Sequence, residues 1–130
     1  MLFLSGKPLP HGRGSHRSCK RDGATAENCF LATKVAFVNQ FYEVAQVLDV
    51  DFLELRRLWL LDPRIGPSHS SVTPERGFRG RCLPKDISAI VALMRLEGGA
   101  PLLQAVMDYN VAICRTKDQE RLAASRASAR

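Results

Sequence analysis

Residues 28–48 read NCFLATKVAFVNQFYEVAQVL, and their spacing decides the fold. Leu31, Val35, Val38, Tyr42 and Ala45 recur at 4-3-4-3 intervals, the period of one helix face. A second apolar stripe, Phe30, Phe37, Phe41, Val44 and Leu48, runs beside it, and Thr33, Gln40 and Glu43 take the remaining surface. Two adjoining stripes on a helix of roughly 23 residues make a wide buried arc. Such a helix either sits at the centre of a small bundle or packs at once on its own domain and on a second subunit. Few other helices are available to cover both stripes, which favours the second arrangement.

Downstream, Asp51 with Glu54 three residues on resembles a helix cap, and Leu53, Leu55, Leu58, Trp59 and Leu61 supply an apolar side. Pro63 is expected to stop this helix, because proline cannot continue the backbone hydrogen bonding. Residues 63–85 hold four prolines and three serines with no period. Loops longer than ~12–15 residues are uncommon in compact domains unless they carry function. After Pro84, Ile87, Ile90, Val91, Met94 and Leu96 form a third helix that Gly98-Gly99 ends. Pro101 can open a fourth, which Leu102, Leu103, Val106, Met107, Val111 and Ile113 carry to about Arg115. The expected fold is all-α: four helices, no strand, and one long central helix.

Three segments are expected. Residues 1–25 mix Gly, Pro, Ser, His and Arg without an apolar period, and read as disordered or loosely attached. Residues 26–115 form the helical unit. Residues 116–130 form a polar, basic tail that could extend helically but has no apolar face. No apolar run approaches the ~18 residues of a membrane span. The opening Met1-Leu2-Phe3-Leu4 is shorter than the roughly 7–15 apolar residues of a secretory leader. The expectation is a cytoplasmic chain with no membrane contact.

The net charge of the 130 residues is +6, with +4 in residues 1–25, −1 in 26–114 and +3 in 115–130. The helical middle therefore offers no basic face, and no nucleic-acid partner is expected. Cys19, Cys29, Cys82 and Cys114 form no Cys-x-x-Cys pair, and His11, His16 and His69 stand in no zinc-ligand spacing beside them, so no metal site is expected. Cys29 and Cys114 read as small buried hydrophobes.

Cys82 reads differently. It follows glycines that let a backbone approach a ligand closely. It precedes a helix start whose free amides and positive dipole end favour a thiolate. Asp86 lies one helical turn on, where it comes back toward the sulfur. Thiolate, carboxylate and a close-approach loop are the parts for covalent catalysis at a carbonyl. The plainer alternative makes Asp86 a helix cap and Cys82 filler.

The segment Gly77-Phe78-Arg79-Gly80-Arg81-Cys82-Leu83-Pro84-Lys85-Asp86 resembles the active-site signature Gly-Phe-Gly-Gly-x-Cys-x-x-Lys-Asp of the UDP-glucose/GDP-mannose 6-dehydrogenases. Asp62-Pro63-Arg64-Ile65-Gly66 is similar to that family's Arg-Ile-Gly turn, and Asn28-Cys29-Phe30-Leu31-Ala32 to the start of its long central helix. The resemblance covers about residues 26–114 in order and is nearer to the UDP-glucose enzymes.

It implies oxidation of a UDP-sugar C6 alcohol to a carboxylate with NAD as cofactor. Cys82 would attack the aldehyde and carry a thioester. Asp86 would order water and shuttle protons, and Asn28 would steady developing negative charge. Arg64 would reach the substrate of a neighbouring subunit, Gly77 and Phe78 would line the sugar pocket, and Lys85 would lie near the cofactor. It also implies a homodimer through the long helix.

Three departures stand against full activity. No Gly-x-Gly-x-x-Gly opening and no nucleotide-binding α/β domain are present in the 130 residues. The lysine expected four residues before the asparagine is Ala24, with Lys20 and Lys34 out of register. Arg79 replaces a glycine beside the sugar and is expected to fill substrate space. The expectation is a dehydrogenase fragment, from a truncated or frame-shifted gene, that is inactive alone. The alternative is a non-enzymatic helical homodimerisation module.

Overall fold

The computed structural model describes residues 16–129: α1 (His16–Val47), α2 (Phe52–Trp59), α3 (Cys82–Leu93), a 3-10 turn (Met94–Leu96) and α4 (Pro101–Ser128). No strand occurs among the described residues, so the fold is all-α, as the periodicities predict. Of the N-terminal segment expected to be loose, residues 1–15 lie outside the described residues. Residues 16–25 are helical and extend α1 ten residues ahead of Ala26. Lys20–Ala24 are exposed on this extension, so it rests on propagation from the packed turns, which adds a hydrogen bond per residue without a new nucleus. No helix of the described residues is long and apolar enough to cross a membrane.

The first stripe of α1 faces inward, with Val35, Val38 and Ala45 buried and Leu31 and Tyr42 half-buried. It serves two clusters. Cys29, Ala32, Val35 and Ala36 meet Phe78, Ile87 of α3 and Val106 of α4. Val38 and Ala45 meet Phe52 of α2, with Leu55, Trp59 and Val72 at the edge. Along the second stripe Phe30, Phe37 and Leu48 remain exposed and Phe41 and Val44 half-buried. The chain's own helices leave that stripe open.

Asp51 caps α2 by accepting from the Leu53 N–H at 2.8 Å. Glu54 does not complete a capping box but pairs with Arg57 at 2.6 Å. The expected apolar side is partly wrong: Phe52 is buried and Leu55 and Trp59 half-buried, whereas Leu53, Leu58 and Leu61 are exposed. An eight-residue helix docks by a single edge, and here aromatic contacts choose it. Phe52 stands edge-on to Tyr42 and Trp59 at 5.4 and 5.8 Å between ring centres. α2 ends four residues before Pro63, and the Leu61 and Asp62 amides bond back three residues to Leu58 and Trp59. Residues 63–81 follow as the irregular loop that the sequence predicts.

Gly98 and Gly99 (φ 103° and 82°) turn the chain after α3, the Gly99 N–H reaching the Met94 carbonyl at 2.7 Å. Pro101 then opens α4. Its last buried residue is Ile113, yet the helix runs past the expected end at Arg115 to Ser128.

Candidate active site

The loop reaches α3 by passing between α1 and α4. Arg76, at φ 54°, anchors it to α1. Its Nε donates to Asn39 Oδ1 at 2.6 Å, its Nη2 meets Glu43 Oε1 at 3.0 Å, and its guanidinium lies 4.7 Å from the centre of the Tyr42 ring. Gly77 follows at φ 69° and presses against α4: a Cβ there would stand 2.5 Å from Asn110 Oδ1. Phe78 is buried in the larger core cluster. Its N–H donates to Asn110 Oδ1 at 2.7 Å, and its carbonyl accepts from Asn110 Nδ2 at 3.0 Å.

Cys82 is the first residue of α3 and is exposed. The N-cap, Arg81, makes no side-chain capping bond. One turn on, the nearly buried Asp86 accepts from Asn28 Nδ2 of α1 at 2.7 Å and pairs with Lys85 Nζ at 2.7 Å. The Asn28 amide first, and Lys85 after it, hold the Asp86 carboxyl below its usual range. Lys85 is pushed up, chiefly by its hydrogen bond to Asp86, with the Cys82 sulfur a smaller contributor. Burial, helped by the Asp86 charge, pushes the Cys29 thiol up, and burial does the same to Cys114. The two cysteines read as core thus have their thiolates disfavoured.

The structure brings Asn28, Lys85 and Asp86 together one turn along α3 from Cys82, although Asn28 and Asp86 are 58 residues apart. The other expected site residues lie elsewhere. Gly77 and Phe78 line a neighbouring cavity of about 390 Å³ with Val35, Arg79, Leu83 and the polar Ser68, His69, Ser71 and Thr73. Arg64 is exposed and clasps Asp62 with two nitrogens, at 2.6–3.1 Å. It borders the open groove formed by Phe30, Phe37 and Phe41 of α1 with Trp59 and Ile65. Lys34 borders the same groove and bonds the Gly66 carbonyl. Ala24 lies exposed on α1, one turn before Asn28.

Arg79 is drawn toward α4 by Asp118 at 3.1 Å and the Cys114 carbonyl at 3.3 Å. Asn39 and Asn110, which hold the loop from two sides, escaped the sequence reading. Their signal is a polar residue on a buried helical face, as in the 4-3 spacing of Val106, Asn110 and Ile113.

The pattern of the UDP-glucose/GDP-mannose dehydrogenase family, central domain, matches residues 24–112. The chain belongs to that family. It is 40% identical over 86 residues to the UDP-glucose 6-dehydrogenase AglM of Haloferax volcanii, covering 65% of this chain and 20% of that protein. A UDP-glucose 6-dehydrogenase of Rickettsia bellii is 38% identical over 84 residues, covering 64% and 19%. A GDP-mannose 6-dehydrogenase of Azotobacter vinelandii is 35% identical over 86 residues, covering 65% and 20%. The chain spans about a fifth of the length of these curated relatives. The matched stretch contains the open stripe, the loop and α3.

A dinucleotide of the kind such dehydrogenases use is cradled by a glycine-rich turn between a strand and a helix. The described residues contain no strand, and Lys85, the one residue expected near the cofactor, is exposed and paired with Asp86. The described residues do not form a cradle of that kind.

Proposed function

We propose that residues 26–115 act as the central domain of an NAD-dependent nucleotide-sugar 6-dehydrogenase acting on UDP-glucose, supplying its dimer interface and its catalytic cysteine loop. Residues 1–25 and 116–130 flank that domain. The observation that carries this reading is the cluster at the head of α3. An exposed cysteine there stands one turn from a carboxylate bonded to both Asn28 and Lys85. The family match over 24–112 includes all four residues.

In this reading the Cys82 sulfur adds to the aldehyde carbon of the sugar. The S–C bond forms, the C=O π pair moves to oxygen, and hydrogen-bond donors beside it, Asn28 among them, steady that charge. Loss of a hydride from that carbon to a nicotinamide would leave a thioester on Cys82, and water attacking the thioester carbon would then release the Cys82 thiolate and the carboxylate. Asp86, held low by Asn28 and Lys85, stays ionised at neutral pH and is a weak proton acceptor. Its work is to orient the water and the Lys85 ammonium more than to take a proton outright. Gly77 and Phe78 form the apolar floor of the sugar cavity, with serine and threonine hydroxyls around it. Arg64, which borders the open groove, would reach across to the substrate of a second copy. No strand among the described residues offers a cradle for the hydride acceptor. The reading as a homodimerisation module without catalysis keeps the same open stripe and drops the role of Cys82.

Iodoacetamide labelling of the folded chain tests the nucleophile. Cys82 is expected to react ahead of Cys29 and Cys114 at neutral pH, and Lys85→Gln is expected to slow it. Equal rates at the three cysteines, or indifference of Cys82 to Lys85→Gln, would leave Cys82 an ordinary surface thiol.

A further inference from the structure

We propose that Asn110 is a positioning residue for the cysteine loop: its carboxamide stands in for a neighbouring strand at Phe78 and so sets where α3, with Cys82 at its head, begins. The inference rests on the reading of Cys82 as the nucleophile. One buried side chain satisfies both backbone groups of one residue, Oδ1 accepting from the Phe78 N–H at 2.7 Å and Nδ2 donating to the Phe78 carbonyl at 3.0 Å. Buried backbone groups need such partners, and the loop has no strand to supply them. Gly77 brings the backbone into this contact, since any Cβ there would overlap Asn110 Oδ1. One turn along α4, the Cys114 thiol lies 3.7 Å from the Arg76 carbonyl.

From the opposite side Asn39 of α1, almost fully buried, accepts from Arg76 Nε at 2.6 Å and from the Gly77 N–H at 3.4 Å. Residues 76–78 are thus gripped by two buried carboxamides from two helices. Just three residues, Arg79-Gly80-Arg81, separate Phe78 from Cys82. Phe78 is anchored a second time by its ring, in the core cluster with Ile87 and Val106. The ring alone leaves the backbone free to rotate about it. The amide pairing removes that freedom, and with it the freedom of the short link to the thiol.

The test compares Asn110→Ala and Asn110→Asp with Val38→Ala, a core truncation in the other cluster, all in the full chain. Two readouts are taken: native-state amide exchange at Phe78 against Val91 inside α3, and the folded-state iodoacetamide rate at Cys82. A lost buried hydrogen bond of ordinary strength corresponds to roughly tenfold in a local opening equilibrium. Asn110→Ala is expected to speed Phe78 exchange by about that factor beyond any change at Val91, and to slow Cys82 alkylation at least ~3-fold as the head of α3 loosens. Asn110→Asp keeps the acceptor for the Phe78 N–H and loses the donor, so Phe78 exchange stays near that of the unsubstituted chain while Cys82 still slows, by less.

Val38→Ala is expected to shift both amides alike and leave Cys82 unchanged. If Asn110→Ala moves Phe78 no more than Val91, or leaves the Cys82 rate where Val38→Ala leaves it, Asn110 is packing alone and the proposal is wrong. Should Asn110→Ala fail to fold, an unchanged Cys82 rate in Asn110→Asp overturns it equally. A Cys82 that is slow in the unsubstituted chain, with Phe78 responding as expected, would instead remove the nucleophile and leave the grip on the loop intact.

Discussion

Charging the open stripe of α1 should break a dimer without unfolding the subunit. Phe37 is the residue to change: it is 56% exposed, and its ring partner within the chain is Phe41, 4.7 Å away. Taking roughly 200 Å² for a phenyl side chain, Phe37 leaves about 110 Å² uncovered, which is about 3 kcal/mol at ~25 cal/mol per Å². A two-fold interface repeats the contact, so Phe37→Glu removes up to ~6 kcal/mol, or roughly 10⁴-fold in dimer affinity, before any cost of burying the carboxylate. Phe30, 68% exposed on the same stripe, leaves still more area open. Phe41 is the poorer choice, because it also packs edge-on against Trp59 at 6.1 Å and its loss would loosen α2. Sedimentation equilibrium over a wide concentration range, with circular dichroism as a check on folding, reads the outcome. The expected result is an unsubstituted dimer and a helical Phe37→Glu monomer. A Phe37→Glu protein that sediments as the same dimer, or an unsubstituted chain that is monomeric throughout, would refute the interface.

Two further outcomes concern the loop and its carboxylate. Gly77→Ala is expected to lower stability by at least ~1–3 kcal/mol, since φ is +69° and the added methyl meets Asn110, whereas Gly66→Ala, with open space around it, should change stability by less than ~0.5 kcal/mol; matching urea midpoints for the two would contradict the close approach. Asp86 titrates below its unfolded value, so its contribution to stability is present above the ordinary aspartate range near ~3.9 and is lost as pH falls through the lower folded value. Urea midpoints should therefore fall below about pH 4 and do so less steeply in Asn28→Ala, which removes the leading cause of the shift. Equal slopes would show that the Asn28 bond does not hold the carboxylate.

The helices were legible where burial follows one period. The 4-3-4-3 stripe from Leu31 to Ala45 faces inward, and the uncovered neighbour was readable as a stripe too wide for the chain's own helices. α2 was legible as a helix but not as a packed face. Leu53, Leu58 and Leu61 look no different in sequence from Leu55, and the choice among them falls to the ring contacts of Phe52 and Trp59. The start of α1 at His16 had no apolar signal, because propagation needs none. In the candidate site, the glycines, Cys82 and Asp86 could be read from local spacing. The resemblance assigned Asn28 and Asp86 to one site, but their hydrogen bond was not read, since no local rule spans 58 residues. Asn39 and Asn110 were missed because a polar residue inside an apolar helical period gives no hint of its partner, and here the partner is a loop without regular structure.

In the proposed reading these residues bring a thiol and an interface to an oxidation whose cofactor they do not cradle. Holding a nicotinamide against C6 can account for roughly 7–11 kcal/mol of a barrier, and no strand among the described residues offers a cradle for it. The most direct test is NADH formation by the purified 130-residue chain with UDP-glucose and NAD, measured beside a Cys82→Ala control. The expected result is no NADH above the control. Formation of NADH that depends on Cys82 would contradict the claim, because the chain would then be holding the cofactor itself.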